Sequence, residues 1–418
     1  MRIACIGNMN NMIFPICRYL KDFGYDCTLF LLDEYEHFLP QADTDIVTTE
    51  IIPLGWNETT FGQISKEKIS SIFKNFDFFI GTDYSAAYLS KANITLDIYL
   101  PAGSDLFHYP FKTFNSFLPQ VWEIDKYKCA RNQFWGIKQA NFLSLDQTNE
   151  LIEKCLEKIN PLGKRIPILP FLYLKNGVYP VLQLPEHMQE YAAQIQQYNF
   201  VVIQHCRQAW NYEKSNPHYK ANDVLIKGFA TFAKGKSDAV LVLLEYGEHV
   251  DNSRALIREL NIENQVIWLP KMQRKYLMQF IKMANIGVGE LGNSWMSYGA
   301  VYEILACGVA FLGYREDKIY QNKHGDLYPM LNAKTKKDVA DQLNFGFKNL
   351  EILQKIAKEG QSWVHKNAFE PSIERVLEII KTQIKRRKLP RDYKLILMQP
   401  CFFLIKLINF LKTKLASK

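Results

Sequence analysis

Two α/β domains, each a doubly wound parallel sheet, are what this sequence predicts. Short apolar strands alternate with segments whose apolar residues recur at helical spacing. That alternation thins between residues 174 and 198, then restarts and runs to about 364. A chain of 418 residues is also too long for one ordinary core.

The elements follow in order. RIACI (2–6) is a short buried strand, and after the loop GNMNN, Met12, Ile13, Ile16, Cys17 and Leu20 mark a helix. Gly24 stops it, and CTLFLLD (27–33), DFFIG (77–81) and LDIYLPAG (96–103) continue the strands, with AAYLSKA as a helix between the last two. Near-continuous apolar strands signal a sheet covered on both faces. The stretch KNGVYPVLQLPEH, with Gly and two prolines, reads as a linker. NFVVIQHCR (199–207) reopens the pattern, which continues through DVLIKGFATFA, AVLVLLEYG, SRALIREL, QVIWLP, RKYLMQFIKMA and IGVGE. The expected domains are 1–195, with a helix of about 365–384 packing back on it, and 196–364, with a tail over 385–418. A cleft is expected between the two domains.

Charge is distributed unevenly. The chain carries +8, but residues 381–418 hold eleven basic side chains against Asp392, a net +10, so residues 1–380 sum to −2. A nearly neutral body with a basic tail argues against a nucleic-acid groove. Eight cysteines (Cys5, Cys17, Cys27, Cys129, Cys155, Cys206, Cys307, Cys401) show no CxxC pair, which reads as reduced core thiols. The start MRIACIGNMN has no charged region leading into an apolar stretch, so neither a secretion signal nor a membrane span is expected.

Ligands of open α/β sheets sit beyond the carboxyl ends of the strands. In the second domain those ends carry Arg207, Glu245, Leu269, Pro270 and Glu290, and the stretch NSWMSYGAVYEILACG (293–308) follows. Its helix is expected to start near Ser297. The amides of Ser297, Tyr298, Gly299 and Ala300 would then face an anionic diphosphate, with Gly299 permitting close approach. Glu303 is placed to accept hydrogen bonds from vicinal hydroxyls such as those of a ribose, or simply to stabilise its own helix dipole. Arg207 and Lys220 are candidate cations for a diphosphate leaving group, or surface charges. In the first domain Asn8, Asn10 and Asn11 offer hydrogen bonds to an acceptor, or make an ordinary turn. Ser104 and Asp105, in PAGSDLFHYP, are acceptor-side candidates or caps. GNMNNM is not GxGxxG, which disfavours a dinucleotide oxidoreductase. The DTD triplet (43–45) sits in a loop, and the histidines lack HxH or HExxH spacing, so no metal is expected.

With those residues in hand, the second domain resembles the nucleotide-sugar domain of GT-B glycosyltransferases, specifically glycosyltransferase family 4 (group 1 glycosyl transferases). YEILACGVAFL is similar to that family's LEAMACGxPV helix. The resemblance puts Glu303 on its acid and Ala310 in place of its proline, and carries its Arg and Lys onto Arg207 and Lys220. The first Glu of its E-x7-E pair would fall on Trp295, leaving Glu290 as the nearest acid. Its N-domain histidine falls on Ala102. The resemblance implies retaining, metal-independent hexose transfer from a nucleotide-diphosphate sugar, with Arg207, Lys220 and Glu290 as catalytic residues, without a cofactor.

QPCFFLIKLINFLKTKL (399–415) is a basic amphipathic helix suited to an anionic membrane surface. The expectation is a cytoplasmic enzyme, peripheral at the inner face of the plasma membrane. It would use a lipid-linked or glycan acceptor in bacterial surface polysaccharide synthesis. A GT-B nucleotide-sugar epimerase and a catalytically silent scaffold binding nucleotide or membrane are the alternatives.

Overall fold

The computed structural model describes residues 1–113, 120–144, 150–168, 172–174, 184–213, 216, 218–294, 296, 298–324, 326–382 and 398–416. The chain divides into two compact units. Unit 1 comprises Met1–Pro40, Ile46–Leu169 and Ser372–Lys418, and unit 2 comprises Gln41–Asp45 and Pro170–Pro371. The change of unit therefore falls near 169 rather than 195. Helix Glu186–Ile195, inside the stretch expected to be linker, belongs to unit 2 and buries Met188, Ala192 and Ile195. Three apolar side chains on one helical face outweigh the Gly/Pro signal upstream of them.

Among the described residues unit 1 holds seven strands: β1 (Arg2–Ile6), β2 (Asp26–Leu31), β3 (Glu50–Pro53), β4 (Phe78–Gly81), β5 (Ile98–Tyr99), β6 (Phe142–Ser144) and β7 (Lys164–Ile166). They pair in the order β3-β2-β1-β4-β5-β6-β7, and every pairing is parallel. Unit 2 holds β8 (Phe200–Gln204), β9 (Ala239–Leu244), β10 (Val266–Leu269), β11 (Ile286–Val288), β12 (Ala310–Gly313) and β13 (Leu331–Asn332). Their order is β10-β9-β8-β11-β12-β13, again all parallel. Strand order reverses between β1 and β4 and between β8 and β11. Those two switch points are where doubly wound sheets bind ligands.

The continuous apolar strands behave as a two-sided sheet requires. All six residues of β9 are buried, as are all five of β8. Helix Asn222–Phe232 covers one face of the unit 2 sheet with Leu225, Ile226 and Phe229, all fully buried. Each such side chain contributes about 1.5–3 kcal/mol by leaving water. In unit 1 the helices Ser85–Lys91 and Val121–Gln139 approach so closely that a Cβ on Gly136 would lie 2.0 Å from the Ala86 carbonyl oxygen. Only glycine fits that crossing. Gln133, fully buried, joins the same elements by donating to the Asp83 carbonyl at 2.8 Å and accepting from the Ala87 amide at 2.9 Å.

Candidate functional site

The carboxyl ends of β8 and β11 in unit 2 are tied together by backbone contacts. Past β8 the chain runs through His205, Cys206 and Arg207 to a loop in which the Lys220 amide donates to the Ala209 carbonyl at 2.7 Å. Past β11, the Leu291 amide donates to the Lys220 carbonyl at 3.3 Å. A Cβ on Gly292 would lie 2.5 Å from the Tyr219 carbonyl oxygen, so the second glycine of GELG permits this approach. Behind the loops runs a buried polar chain. Asn222 Nδ2 donates to Gln204 Oε1 at 2.9 Å, and Gln204 Nε2 donates to the Gly289 carbonyl at 2.9 Å. These bonds fix Lys220 beside Glu290, and the two side chains form a short, mostly buried ion pair.

Glu303 lies in helix Gly299–Ala306, which starts two residues later than expected. Ser297 and Trp295 lie outside the described residues. One carboxylate oxygen of Glu303 faces His205 Nε2 at 2.9 Å and the other accepts from Arg274 Nε at 3.0 Å. Arg274 opens helix Arg274–Lys282 and lies 3.5 Å from buried Asp43, while Lys275 pairs with Asp45 at 2.6 Å. The DTD aspartates therefore face cations rather than each other. Burial would raise the Glu303 carboxyl, but the His205 hydrogen bond and the Arg274 charge outweigh it, and the group is held below its ordinary value. It is an ionised, anchored acceptor. A carboxylate has about four lone-pair sites, so two donors leave capacity for two more. His205 Nδ1, also buried, has no hydrogen-bond partner among the described residues.

Cys206 locates the convergence. Burial pushes its thiol up, and the charges of Glu290, Lys220 and Glu303 all act on it. Three of the residues singled out in the sequence thus surround one strand end. Tyr298 belongs to the same cluster, its hydroxyl accepting from the Glu290 amide at 2.8 Å. Gly299 is exposed, and a Cβ there would meet nothing within 4 Å, so the start of this helix is open above the backbone. Ala300 follows it, half-buried. Arg207 stands further out, with Nη2 2.9 Å from His218 Nδ1 and Nη1 3.7 Å from Glu248. Glu245 pairs with Arg254, whose guanidinium lies over Trp268. Its amide donates to the Leu269 carbonyl at 2.9 Å, just before Pro270. His205 and Arg274 were missed in the sequence. The signal for His205 was its place two residues before Arg207; Arg274 carried none.

In unit 1 the acceptor-side candidates hold up their own loops. Asn8 is buried, donating to Asn11 Oδ1 at 2.9 Å and to the Phe38 carbonyl at 2.6 Å, while its Oδ1 receives the Phe14 amide at 2.9 Å. Asn10 and Asn11 take left-handed backbone, φ 55° and 52°. Asp105 is buried and accepts from the amides of Ala102, Gly103 and Asp83 and from the Tyr99 hydroxyl at 2.6 Å. It caps the turn, and Ser104 beside it is exposed.

A carboxyl group the sequence did not flag lies just beyond β4. Asp83 is buried, has φ 53°, and is pushed up to about 7, first by burial and then by Asp105 and Asp33. Tyr35, Tyr84, Tyr99 and Cys129 also feel its charge, and no cation pairs with it among the described residues.

Against known proteins, the class comes first: the chain has the GT-B fold, two Rossmann-like units of parallel sheet. Anabaena Alr3699/HepE in complex with UDP and glucose superposes with TM-score 0.58 at 13% identity, over 91% of this chain and 99% of that one. WaaG, a glycosyltransferase involved in lipopolysaccharide biosynthesis, gives 0.53 at 14%, over 91% and 100%. A putative UDP-N-acetylglucosamine 2-epimerase from Listeria monocytogenes gives 0.55 at 13%, over 94% and 98%. Residues 214–363, which make up most of unit 2, match the family described as Glycosyl transferases group 1. No curated protein sequence matches the chain.

Asp83 carries a pH prediction. Its folded value, about 7, lies above the ordinary 3.8, so its contribution is complete at low pH and is lost as pH rises toward 7. Asn tolerates left-handed backbone, so Asp83→Asn keeps the local geometry. Urea midpoints measured from pH 4.5 to 8 should decline less in Asp83→Asn than in the wild type; parallel curves would show that the group is not so shifted.

Proposed function

We propose that the protein transfers a hexose-type sugar from a nucleotide-diphosphate donor to a lipid-linked glycan acceptor, with retention of anomeric configuration. The observation that carries this is the cluster of Glu303, Glu290 and Lys220 around Cys206 at the β8/β11 switch point; Glu303, Glu290 and Lys220 fall within the matched residues 214–363. Glu303, anchored from two sides with acceptor capacity remaining, suits the vicinal hydroxyls of a ribose. The open start of the Gly299–Ala306 helix suits the diphosphate. Arg207 and Lys220 offset the negative charge that develops as the bond from the anomeric carbon to the diphosphate oxygen breaks. The acceptor oxygen bonds on the same face, and its proton passes to the departing phosphate. These two cations assign that role to protein side chains, so the reading needs no metal and no cofactor. The structure of Anabaena Alr3699/HepE with UDP and glucose supports a uridine-type donor, and WaaG, in lipopolysaccharide biosynthesis, supports a bacterial surface polysaccharide.

The acceptor class rests on unit 1. No helix among the described residues is long and apolar enough to cross a membrane. Helix Gln399–Ala416 lies on helix Val121–Gln139. Phe402 is buried, its ring centroid 6.0 Å from that of Tyr127, with Lys128 Nζ 5.0 Å from the Phe402 centroid and Lys406 4.0 Å from Asp125. Packing against the first unit was expected of the 365–384 segment; this last helix shares it. Phe403 (72% exposed), Leu404, Leu407, Phe410 (62%) and Leu411 remain in solvent, and Trp122 is exposed on the helix beneath. An aromatic face beside a segment of net +10 fits a peripheral contact with anionic lipid at the inner face of the plasma membrane, each basic residue near it contributing about 1 kcal/mol. The KRRKLPR part of that segment lies outside the described residues.

Two measurements test this. A thermal-shift screen across UDP-, GDP- and dTDP-sugars should stabilise the protein by about 2.7 kcal/mol at a hundredfold excess over Kd. Glu303→Ala and Arg207→Ala should abolish that response, and a wild type indifferent to every nucleotide sugar would overturn the donor assignment. Sedimentation with anionic liposomes should carry down the wild type but not Phe403→Ser/Leu407→Ser/Phe410→Ser. Equal sedimentation of both would remove the membrane from the account.

A further inference from the structure

Three cysteines from β1, the helix Ile13–Asp22 and β2 meet in unit 1, outside the matched residues 214–363. Cys5 lies on β1, Cys17 on helix Ile13–Asp22 and Cys27 on β2, and their Sγ atoms all fall within 4.8 Å of one another. Cys5 and Cys17 are fully buried, and Cys27 is 2% exposed. Cys5 pairs in register with Leu29 and Cys27 with Ile3, so these two sit two residues out of step on adjacent strands. That offset separates their Cα atoms by roughly 8 Å, too far for a disulfide without backbone movement. What the geometry does offer is a triangle of sulfurs. Bonds of about 2.3 Å to a central ion would place three sulfurs about 4 Å apart, a contraction of less than 1 Å from the largest separation present.

We propose that Cys5, Cys17 and Cys27 form a three-coordinate site for a soft, thiophilic metal ion, Cu(I). Thiolates select such ions, whereas structural zinc takes four ligands and no fourth His, Cys, Asp or Glu completes the group among the described residues. On binding, three Cu–S bonds form, and the protons the sulfurs still carry leave to solvent. The resulting negative charge lies near Lys21, one helical turn beyond Cys17, whose charge acts on both Cys17 and Cys27. Cys27 follows the exposed Asp26 at the start of β2 and is the least buried of the three, at 2% exposure against none for the other two. A bound ion would tie β1 and β2 to the helix whose first turn is held by Asn8, and would stiffen that side of unit 1.

The test is an anaerobic titration of the full-length protein with Cu(I) buffered by a chromogenic chelator, read by ultraviolet thiolate-to-copper charge transfer and by thermal denaturation. The wild type should take up one Cu(I) per chain and melt higher with it. Cys17→Ala and Cys27→Ala, confirmed folded by circular dichroism, should each bind more than about 100-fold more weakly and lose the melting shift, since removing a ligand should exceed an outer-shell loss. Cys401→Ser, which removes the exposed cysteine, should bind as the wild type does. Failure of the wild type to hold Cu(I) against the chelator would overturn the proposal. So would unchanged uptake in Cys17→Ala and Cys27→Ala, or loss of uptake in Cys401→Ser. None of these readouts depends on sugar transfer.

Discussion

A single carboxylate, that of Glu303, sets what the second unit can do. It is mostly buried, ionised and gripped from two sides by His205 and Arg274. Removing Arg274 would take a permanent positive charge away from this carboxylate, and breaking a buried ion pair typically costs about 3–5 kcal/mol, so the arrangement is fixed in place rather than adaptable. The constraint spreads outward. His205 comes from the end of β8, Arg274 from the helix after β10, and Glu303 from the helix after β11. The carboxylate therefore gathers three crossovers of the sheet at the point where strand order reverses. A second buried pair, Lys220 with Glu290, sits beside it and is positioned by backbone bonds between the two loops. Charge within this cluster is nearly balanced before any ligand arrives. An incoming diphosphate then has to redistribute existing ion pairs instead of meeting bare cations.

Much of this was legible in the sequence, for identifiable reasons. Strands such as AVLVLL announced themselves because a parallel sheet buried on both faces needs unbroken apolar runs. Glu290 stood out as a polar residue at the end of such a run, Glu303 as the acid of the stretch that follows it, and Lys220 as a candidate cation for a diphosphate. Their partners did not. Arg274 looks like any arginine at the start of an amphipathic helix, and only the tertiary fold brings it to Glu303. The Gly299–Ala306 helix was expected to start near Ser297, a residue type favoured at helix starts, whereas its cap is Tyr298, which has extended backbone and whose hydroxyl is bound to the Glu290 amide. The unit boundary was misplaced because Gly and Pro in KNGVYPVLQLPEH outweighed the short apolar stripe of Met188, Ala192 and Ile195.

The first unit teaches the opposite lesson. Asn8 and Asp105 were attractive because polar residues after a strand so often bind ligands, yet their hydrogen bonds are spent on the loops that carry them. Asp83 was invisible because nothing in IGTDYS marks a carboxylate that ends up buried, left-handed and surrounded by other acids. A sequence shows which groups are polar. It does not show which of them have already found partners.

The central claim is that Glu303 receives a nucleotide's ribose. A crystal structure with bound UDP tests it most directly. The account predicts both ribose hydroxyls at hydrogen-bond distance, about 2.7–3.2 Å, from the Glu303 carboxylate, and the diphosphate against the start of the Gly299–Ala306 helix near Lys220 and Arg207. A nucleotide seated elsewhere, with Glu303 still engaged only by His205 and Arg274, would contradict it.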